Sequence, residues 1–174
     1  MGQVLKDRVA LITGAGRGIG RTIALAFARE GARLVLAARS AGQLEATAAG
    51  CRESGTTAIT VPTDVAQRDQ VQHLVATALK EYGQVDVLVN SAGVYGPIGP
   101  TAQVDFAAWV HGINVNLLGP FFLCRALLPH MQPRRQGKII LLAAAGPPPL
   151  CLIFPPMRPP RPAWPAWRIP WRKN

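Results

Sequence analysis

Short apolar runs alternate with longer amphipathic stretches along the first 142 residues of the chain. The apolar runs are nearly continuous, as expected for parallel strands that are covered on both faces. We predict strands over Arg8–Thr13, Arg33–Ala37, Ala58–Pro62, Val85–Asn90 and Lys138–Leu142. We predict helices between them over Arg21–Glu30, Gln43–Ser54, Asp69–Tyr82 and Phe106–Met131.

Strands that alternate with helices of this length form right-handed βαβ units. The predicted fold class is therefore α/β, with a Rossmann-type doubly wound parallel sheet of five strands. The pattern ends near residue 142, so we predict that the domain comprises residues 1–142.

The composition changes at this boundary. Residues 143–174 contain five Lys or Arg and no acidic residue, whereas residues 1–142 contain fourteen Lys or Arg and nine acidic residues. The same segment has ten of the sixteen prolines and three of the four tryptophans. Proline at this density prevents regular helices and central strands. We therefore predict a disordered, irregular Pro/Arg/Trp-rich tail over residues 143–174.

The bulk properties favour a cytoplasmic protein. No uninterrupted run of eighteen apolar residues occurs, and the N-terminus lacks a signal-peptide profile. Cys51, Cys124 and Cys151 are widely spaced and lack metal-ligand spacing, so we expect free thiols and no metal site. Half of the net charge of +10 lies in the tail, so we expect neither a nucleic-acid nor a membrane partner for the domain.

A glycine-rich turn, Thr13–Gly20, follows the first predicted strand and precedes a helix. Glycines at such a turn let the backbone approach a pyrophosphate, and the helix N-terminus offers free N–H groups. An ordinary glycine-rich loop is the alternative interpretation. The candidate dinucleotide-binding residues here are Gly14, Gly16, Arg17, Gly18, Ile19 and Gly20.

The end of the second predicted strand bears on the choice of dinucleotide. NAD sites usually have an acid there for the ribose hydroxyls, but Leu36–Ser40 contains none. Arg39 can instead bind a 2′-phosphate, and Arg17 can reach the same group. Ordinary surface arginines are the alternative. The pattern favours NADP(H) over NAD(H).

These motifs, in this order, resemble the short-chain dehydrogenase/reductase family. Thr-Gly-x-x-x-Gly-x-Gly begins the likeness, which covers about four fifths of the chain. Asn90–Gly93 is similar to the family's Asn-Asn-Ala-Gly motif, with Ser91 as a departure, and Asn114–Leu117 resembles its active-site asparagine stretch. The resemblance adds Asp64, Val65, Asn90, Ala92 and Gly93 as cofactor-binding residues and Asn116 as a catalytic residue.

The resemblance implies hydride transfer between a nicotinamide and a small carbonyl or alcohol substrate. It also implies a catalytic tyrosine with a lysine four residues later, and an upstream serine. Tyr82 and Tyr95 are the only tyrosines, and neither has that lysine; Ala143–Ala145 stands where the serine is expected. We therefore expect impaired catalysis from this chain. We also expect the family's homo-oligomer interface to be lost.

A reading-frame shift after about residue 142 accounts for both the missing pair and the tail. With permissive codon choices, one alternative frame allows a tyrosine at the position of Met157, a lysine at Arg161 and a serine at Ala143. Alternatively, the tail is genuine and the domain is a noncatalytic core. Its P-x-x-P spacing and interleaved Trp and Arg would then suit a protein, membrane or nucleic-acid partner.

Overall fold

The computed structural model describes residues 3–143, which contain one five-stranded parallel sheet. The strand order is β3-β2-β1-β4-β5, and β1 pairs with β2 on one side and with β4 on the other. This arrangement confirms the Rossmann-type α/β fold. The strands are β1 Val9–Thr13, β2 Arg33–Ala38, β3 Ala58–Pro62, β4 Val87–Asn90 and β5 Lys138–Leu141.

The helices connect successive strands, as the alternating pattern predicts. They are α1 Gly18–Arg29, α2 Ala41–Arg52, α3 Arg68–Tyr82, α4 Phe106–Ile113 and α5 Gly119–Met131. The predicted start of the first helix at Arg21 is wrong, because α1 begins three residues earlier, inside the glycine-rich turn. Glycine has a low helix propensity, and the sequence pattern therefore placed these residues outside the helix.

The predicted single α-helix Phe106–Met131 is also wrong in detail. A π-helical turn over Asn114–Leu118 separates α4 from α5. Turns of this kind have i→i+5 backbone hydrogen bonds and often occur at functional sites. The helical stretch remains continuous, so α5 still crosses beside α3 and packs against it.

Two apolar cores lie on opposite faces of the sheet. On one face, Val9, Leu11 and Leu88 of the strands pack with α3 and α5 residues such as Leu74 and Leu123. On the other face, Ile12, Leu34, Leu36 and Val89 pack with α1 and α2. Because successive strand residues alternate between these cores, the apolar runs are continuous rather than alternating.

Several large apolar side chains of the helical stretch are exposed. Leu117 is 61% exposed and Phe121 is 53% exposed. By length and composition alone, Phe106–Met131 is long and apolar enough to cross a membrane, since an 18-residue window within it has a mean hydropathy of 1.3. Leu123, Leu127 and Met131 on the same helix are buried in the core between α5 and the sheet.

The predicted tail lies outside the described residues apart from Ala143, which follows β5. Cys151, Met157 and Arg161 also lie outside them, as does the P-x-x-P segment. Within residues 3–143, β5 pairs with β4 alone, and Ile140 and Leu141 at its end are exposed.

Candidate functional site

A cleft of about 720 Å³ opens at the carboxyl ends of β1, β2, β3 and β4. In doubly wound sheets the ligand binds at this edge, in the crevice where the strand order reverses. Here the order reverses between β1 and β4. The lining residues are Gly14, Gly16, Arg17, Gly18, Ile19, Ala38, Arg39, Ser40, Gln43, Thr63, Asp64, Val65, Ser91, Ala92, Gly93, Val94, Tyr95 and Val115.

The floor of the cleft forms where the turns after β1 and β4 touch. Gly14 has φ of +66°, and a Cβ there would lie 2.8 Å from the Ala92 nitrogen. A side chain at this position would therefore separate the two turns. The Ala15 N–H donates to the Ala37 carbonyl at 3.1 Å, which ties the same turn to β2. Gly20 is buried behind the turn, against the carbonyl of Gly14.

The N-terminus of α1 opens into the cleft without a side-chain cap. Arg17 is the N-cap residue and makes no capping hydrogen bond, and no acid occurs in the first helical turn. Gly18, at the start of α1, borders open space, because nothing lies within 4 Å of its Cβ position. Free backbone N–H groups at a helix N-terminus attract anions, so this part of the cleft suits a phosphate.

Two cations and one acid line the cleft. Arg17 and Arg39 are both exposed, and neither β2 nor Arg39–Ser40 after it contains an acid. The acid is Asp64, whose carboxylate accepts the Ala66 N–H at 3.0 Å. This bond orients Asp64 at the end of β3, opposite the glycine-rich turn. The cleft therefore combines a cationic side with a single fixed carboxylate.

Asn116 is connected to the cleft wall through one residue. Its Oδ1 accepts the Val94 N–H at 3.0 Å, and its Nδ2 donates to the Val94 carbonyl at 2.8 Å. The π-helical turn presents this side chain to the segment after β4. Val94 and Gly93 line the cleft, whereas Asn116 does not. Asn116 thus holds the wall through Val94 without lining the cleft itself.

Ten of the thirteen predicted site residues line this one cleft: Gly14, Gly16, Arg17, Gly18, Ile19, Arg39, Asp64, Val65, Ala92 and Gly93. Gly20 and Asn90 are buried beneath its surface, whereas Asn116 is exposed and lies outside its lining. Asn90 is 2% exposed and accepts a hydrogen bond from Thr13. Asn90 therefore lies beneath the floor of the cleft.

The sequence analysis missed eight lining residues, namely Ala38, Ser40, Gln43, Thr63, Ser91, Val94, Tyr95 and Val115. Thr63 follows the carboxyl end of β3, and Val94 and Tyr95 follow that of β4. Their position after these strands was the sequence signal that could have identified them. Tyr95 is 82% exposed, and no lysine or histidine lines the cleft with it. The described part of the cleft therefore has a phenol but no lysine or histidine beside it.

The two cysteines of the described part lie outside the cleft. Burial raises the pKa of the Cys51 thiol, with a smaller opposing effect from Arg52 and Arg21. Burial also raises the pKa of Cys124, a residue of α5 that packs against the core. Neither thiol has the lowered pKa of a nucleophile. Within residues 3–143 no cluster of three His, Cys, Asp or Glu residues could hold a metal.

Comparison with known proteins identifies the family. The family model described as short chain dehydrogenase matches residues 8–146. A sepiapterin reductase of Chlorobaculum tepidum is 37% identical, over 79% of this chain and 59% of that protein. The chain thus spans about three fifths of the length of the curated relatives it matches.

Two solved structures share the fold. A metagenomic short-chain oxidoreductase in complex with NADP has a TM-score of 0.77 and 38% identity, over 82% of this chain and 66% of that one. An NAD+-bound xylitol dehydrogenase has a TM-score of 0.79 and 27% identity, over 88% of this chain and 57% of that one. The strand order, the motifs along the cleft and the matched range agree, and the chain belongs to the short-chain dehydrogenase/reductase family of oxidoreductases.

Proposed function

We propose that this chain binds NADP(H) as the cofactor-binding part of an oxidoreductase that acts on a small carbonyl or alcohol substrate. The observation that carries the proposal is the meeting of the α1 N-terminus with Arg17 and Arg39 in one cleft. A dinucleotide with a 2′-phosphate has anionic groups for both features. The family's solved members include complexes with NADP and with NAD+.

The pyrophosphate is assigned to the glycine-rich turn and the first turn of α1. The uncapped N–H groups there need acceptors, and the open space beside Gly18 admits a phosphate. The adenosine end is assigned to the carboxyl ends of β2 and β3, with Asp64 and Val65 beside the adenine. Arg39 and Arg17 are assigned to the 2′-phosphate, because guanidinium groups bind phosphate oxygens through paired, charge-assisted hydrogen bonds.

The nicotinamide end is assigned to the wall formed by Ala92, Gly93 and Val94. When bound, the cofactor gives or accepts the hydride. Asn116 acts here as a positioning residue that fixes Val94, through the two hydrogen bonds described above. Because the sequence contains no Tyr-x-x-x-Lys pair, we expect the chain to show little or no turnover.

Binding of the two dinucleotides to the purified full chain tests the cofactor assignment. We expect isothermal titration to show tighter binding of NADPH than of NADH. Arg39→Ala should weaken NADPH binding by roughly tenfold or more, since a charge-assisted hydrogen bond contributes about 1.5–3 kcal/mol. NADH binding should change little. Arg29→Ala, in the last turn of α1, removes an equal charge away from the cleft and is the control. Equal weakening of both dinucleotides would contradict the 2′-phosphate assignment.

Turnover and the reading frame need separate tests. Robust carbonyl reduction by the purified 174-residue chain would contradict the expected inactivity. Resequencing the gene across the codons for residues 137–161 tests the frameshift. A one-base slip that restores Tyr-x-x-x-Lys would support it, and confirmed codons without such a slip would exclude it.

A further inference from the structure

Gly16 lies in the glycine-rich turn but is not one of the glycines of the Thr-Gly-x-x-x-Gly-x-Gly pattern. Its backbone is not left-handed, so its conformation does not require glycine. A Cβ at this position would lie 3.0 Å from Cβ of Gln43 and 3.1 Å from Oε1 of Gln43. Residue 16 must therefore be small because the side chain of Gln43 lies across it.

Gln43 is in the first turn of α2, immediately after the segment that contains Arg39. Its backbone N–H donates to Oγ of the N-cap residue Ser40 at 3.4 Å, which fixes the start of the helix. Its side chain lines the cleft together with Arg17 and Arg39. Within residues 3–143 its carboxamide forms no hydrogen bond with another side chain or with the backbone, so both of its polar atoms are available to a ligand.

We propose that Gln43 determines cofactor specificity, by contacting the 2′ position of the adenosine ribose from the start of α2, just after the segment that contains Arg39. This inference rests on the proposed function. The carboxamide can donate Nε2–H to a 2′-phosphate and can accept a 2′-hydroxyl through Oε1. The bond to the phosphate is the stronger of the two because its acceptor is charged, so Gln43 and the arginines both favour a 2′-phosphate over a 2′-hydroxyl. Gly16 contributes by leaving the space in which the Gln43 side chain lies.

Gln43→Glu separates the two dinucleotides most sharply. The carboxylate still accepts a 2′-hydroxyl but repels a 2′-phosphate. By isothermal titration of the full chain, we expect NADPH binding to weaken at least tenfold and NADH binding to stay within twofold or tighten. Gln132→Glu makes the same charge change just after α5, outside the cleft lining, and both dissociation constants should stay within twofold.

Gly16→Ala tests the part played by the small residue. It should displace the Gln43 side chain and weaken NADPH binding relative to NADH binding. In a Gln43→Gly background, which removes both the Cβ and the Oε1 that a Cβ on residue 16 would meet, the same change should add nothing, because the two residues act through one contact. Gly42→Ala is the matched control. Gly42 precedes Gln43 in α2, and nothing lies within 4 Å of its Cβ position. It should leave both dissociation constants unchanged.

The outcomes distinguish this inference from the proposed function. If the unaltered chain binds neither dinucleotide, the proposed function fails and the role of Gln43 fails with it. If the unaltered chain binds NADPH but Gln43→Glu leaves the ratio of the two dissociation constants unchanged, only the role of Gln43 is overturned. Full additivity of Gly16→Ala and Gln43→Gly would overturn the proposed link between the two residues.

Discussion

The hydroxyl of Thr13 donates a hydrogen bond of 2.7 Å to Oδ1 of Asn90, and both side chains are buried. These residues are register partners at the carboxyl ends of the paired strands β1 and β4. The same hydroxyl accepts the Ala92 N–H at 3.2 Å. One threonine thus links the first turn of the cleft to the segment that forms the opposite wall.

Thr13→Val keeps the shape of the side chain but removes the hydroxyl. The change leaves Oδ1 of Asn90 and the Ala92 N–H without their partner, so we expect a loss of about 1–3 kcal/mol in the free energy of unfolding. Urea unfolding followed by circular dichroism measures this loss. Thr101→Val, on an exposed turn, is the control and should change the stability by less than about 0.5 kcal/mol. Equal stability of the two variants would contradict a supporting role for Thr13.

Asn116→Ala removes both hydrogen bonds to Val94 and should loosen the segment after β4. Because Asn116 is partly open to water, we expect a modest stability loss of about 0.5–1.5 kcal/mol for each bond. Hydrogen exchange of the peptide that covers residues 91–104 should become faster. Asn114→Ala, in the same π-helical turn, makes an equivalent truncation and should leave that peptide unchanged. Unaltered exchange in Asn116→Ala would contradict the positioning role.

Asp86 anchors the opposite end of the sheet. It is 6% exposed, forms an ion pair with Arg134 at 2.6 Å and accepts the Val9 N–H at 2.9 Å. Asp86→Ala leaves these donors unpaired and should lower the free energy of unfolding by about 3 kcal/mol. This is the lower end of the range for breaking a buried ion pair, because Arg134 is partly exposed. Thermal unfolding measures this cost, and Asp69→Ala on the surface of α3 is the control. NADPH affinity of the folded fraction should not change, because Asp86 is remote from the cleft.

The raised pKa of Cys51 predicts a dependence of stability on pH. Its thiol stays protonated in the folded chain at pH values at which the unfolded chain ionises. The stabilising contribution is therefore complete below the ordinary thiol pKa of about 8.5 and is lost as the pH rises through the higher folded value. Cys51→Ala should reduce the fall in unfolding free energy between neutral and alkaline pH. An identical pH profile for the two chains would exclude this contribution.

The strands and the glycine-rich turn were predictable because each depends on local sequence. The apolar runs marked four of the five strands to within one residue at each end, whereas β4 begins at Val87, two residues later than predicted. Gln43 was missed because its place in the cleft depends on how α2 packs beside Gly16. The π-helical turn was missed because no local propensity identifies it, and Asn116 in it bonds to Val94, 22 residues away in the sequence.

Because of the π-helical turn over Asn114–Leu118, the number of residues between α4 and α5 matters as much as which residues they are. A turn of this kind contains one residue more than an α-helical turn, and that extra residue sets the rotation of everything after it. Deleting a single residue there would restore regular α-helical spacing and rotate α5 by about 100° relative to α4. Either Asn116 would then leave Val94, or Leu123 and Leu127 would turn out of the core. We therefore expect the packing of α5 to survive a one-residue deletion in the loop before α4 but not a one-residue deletion within this turn.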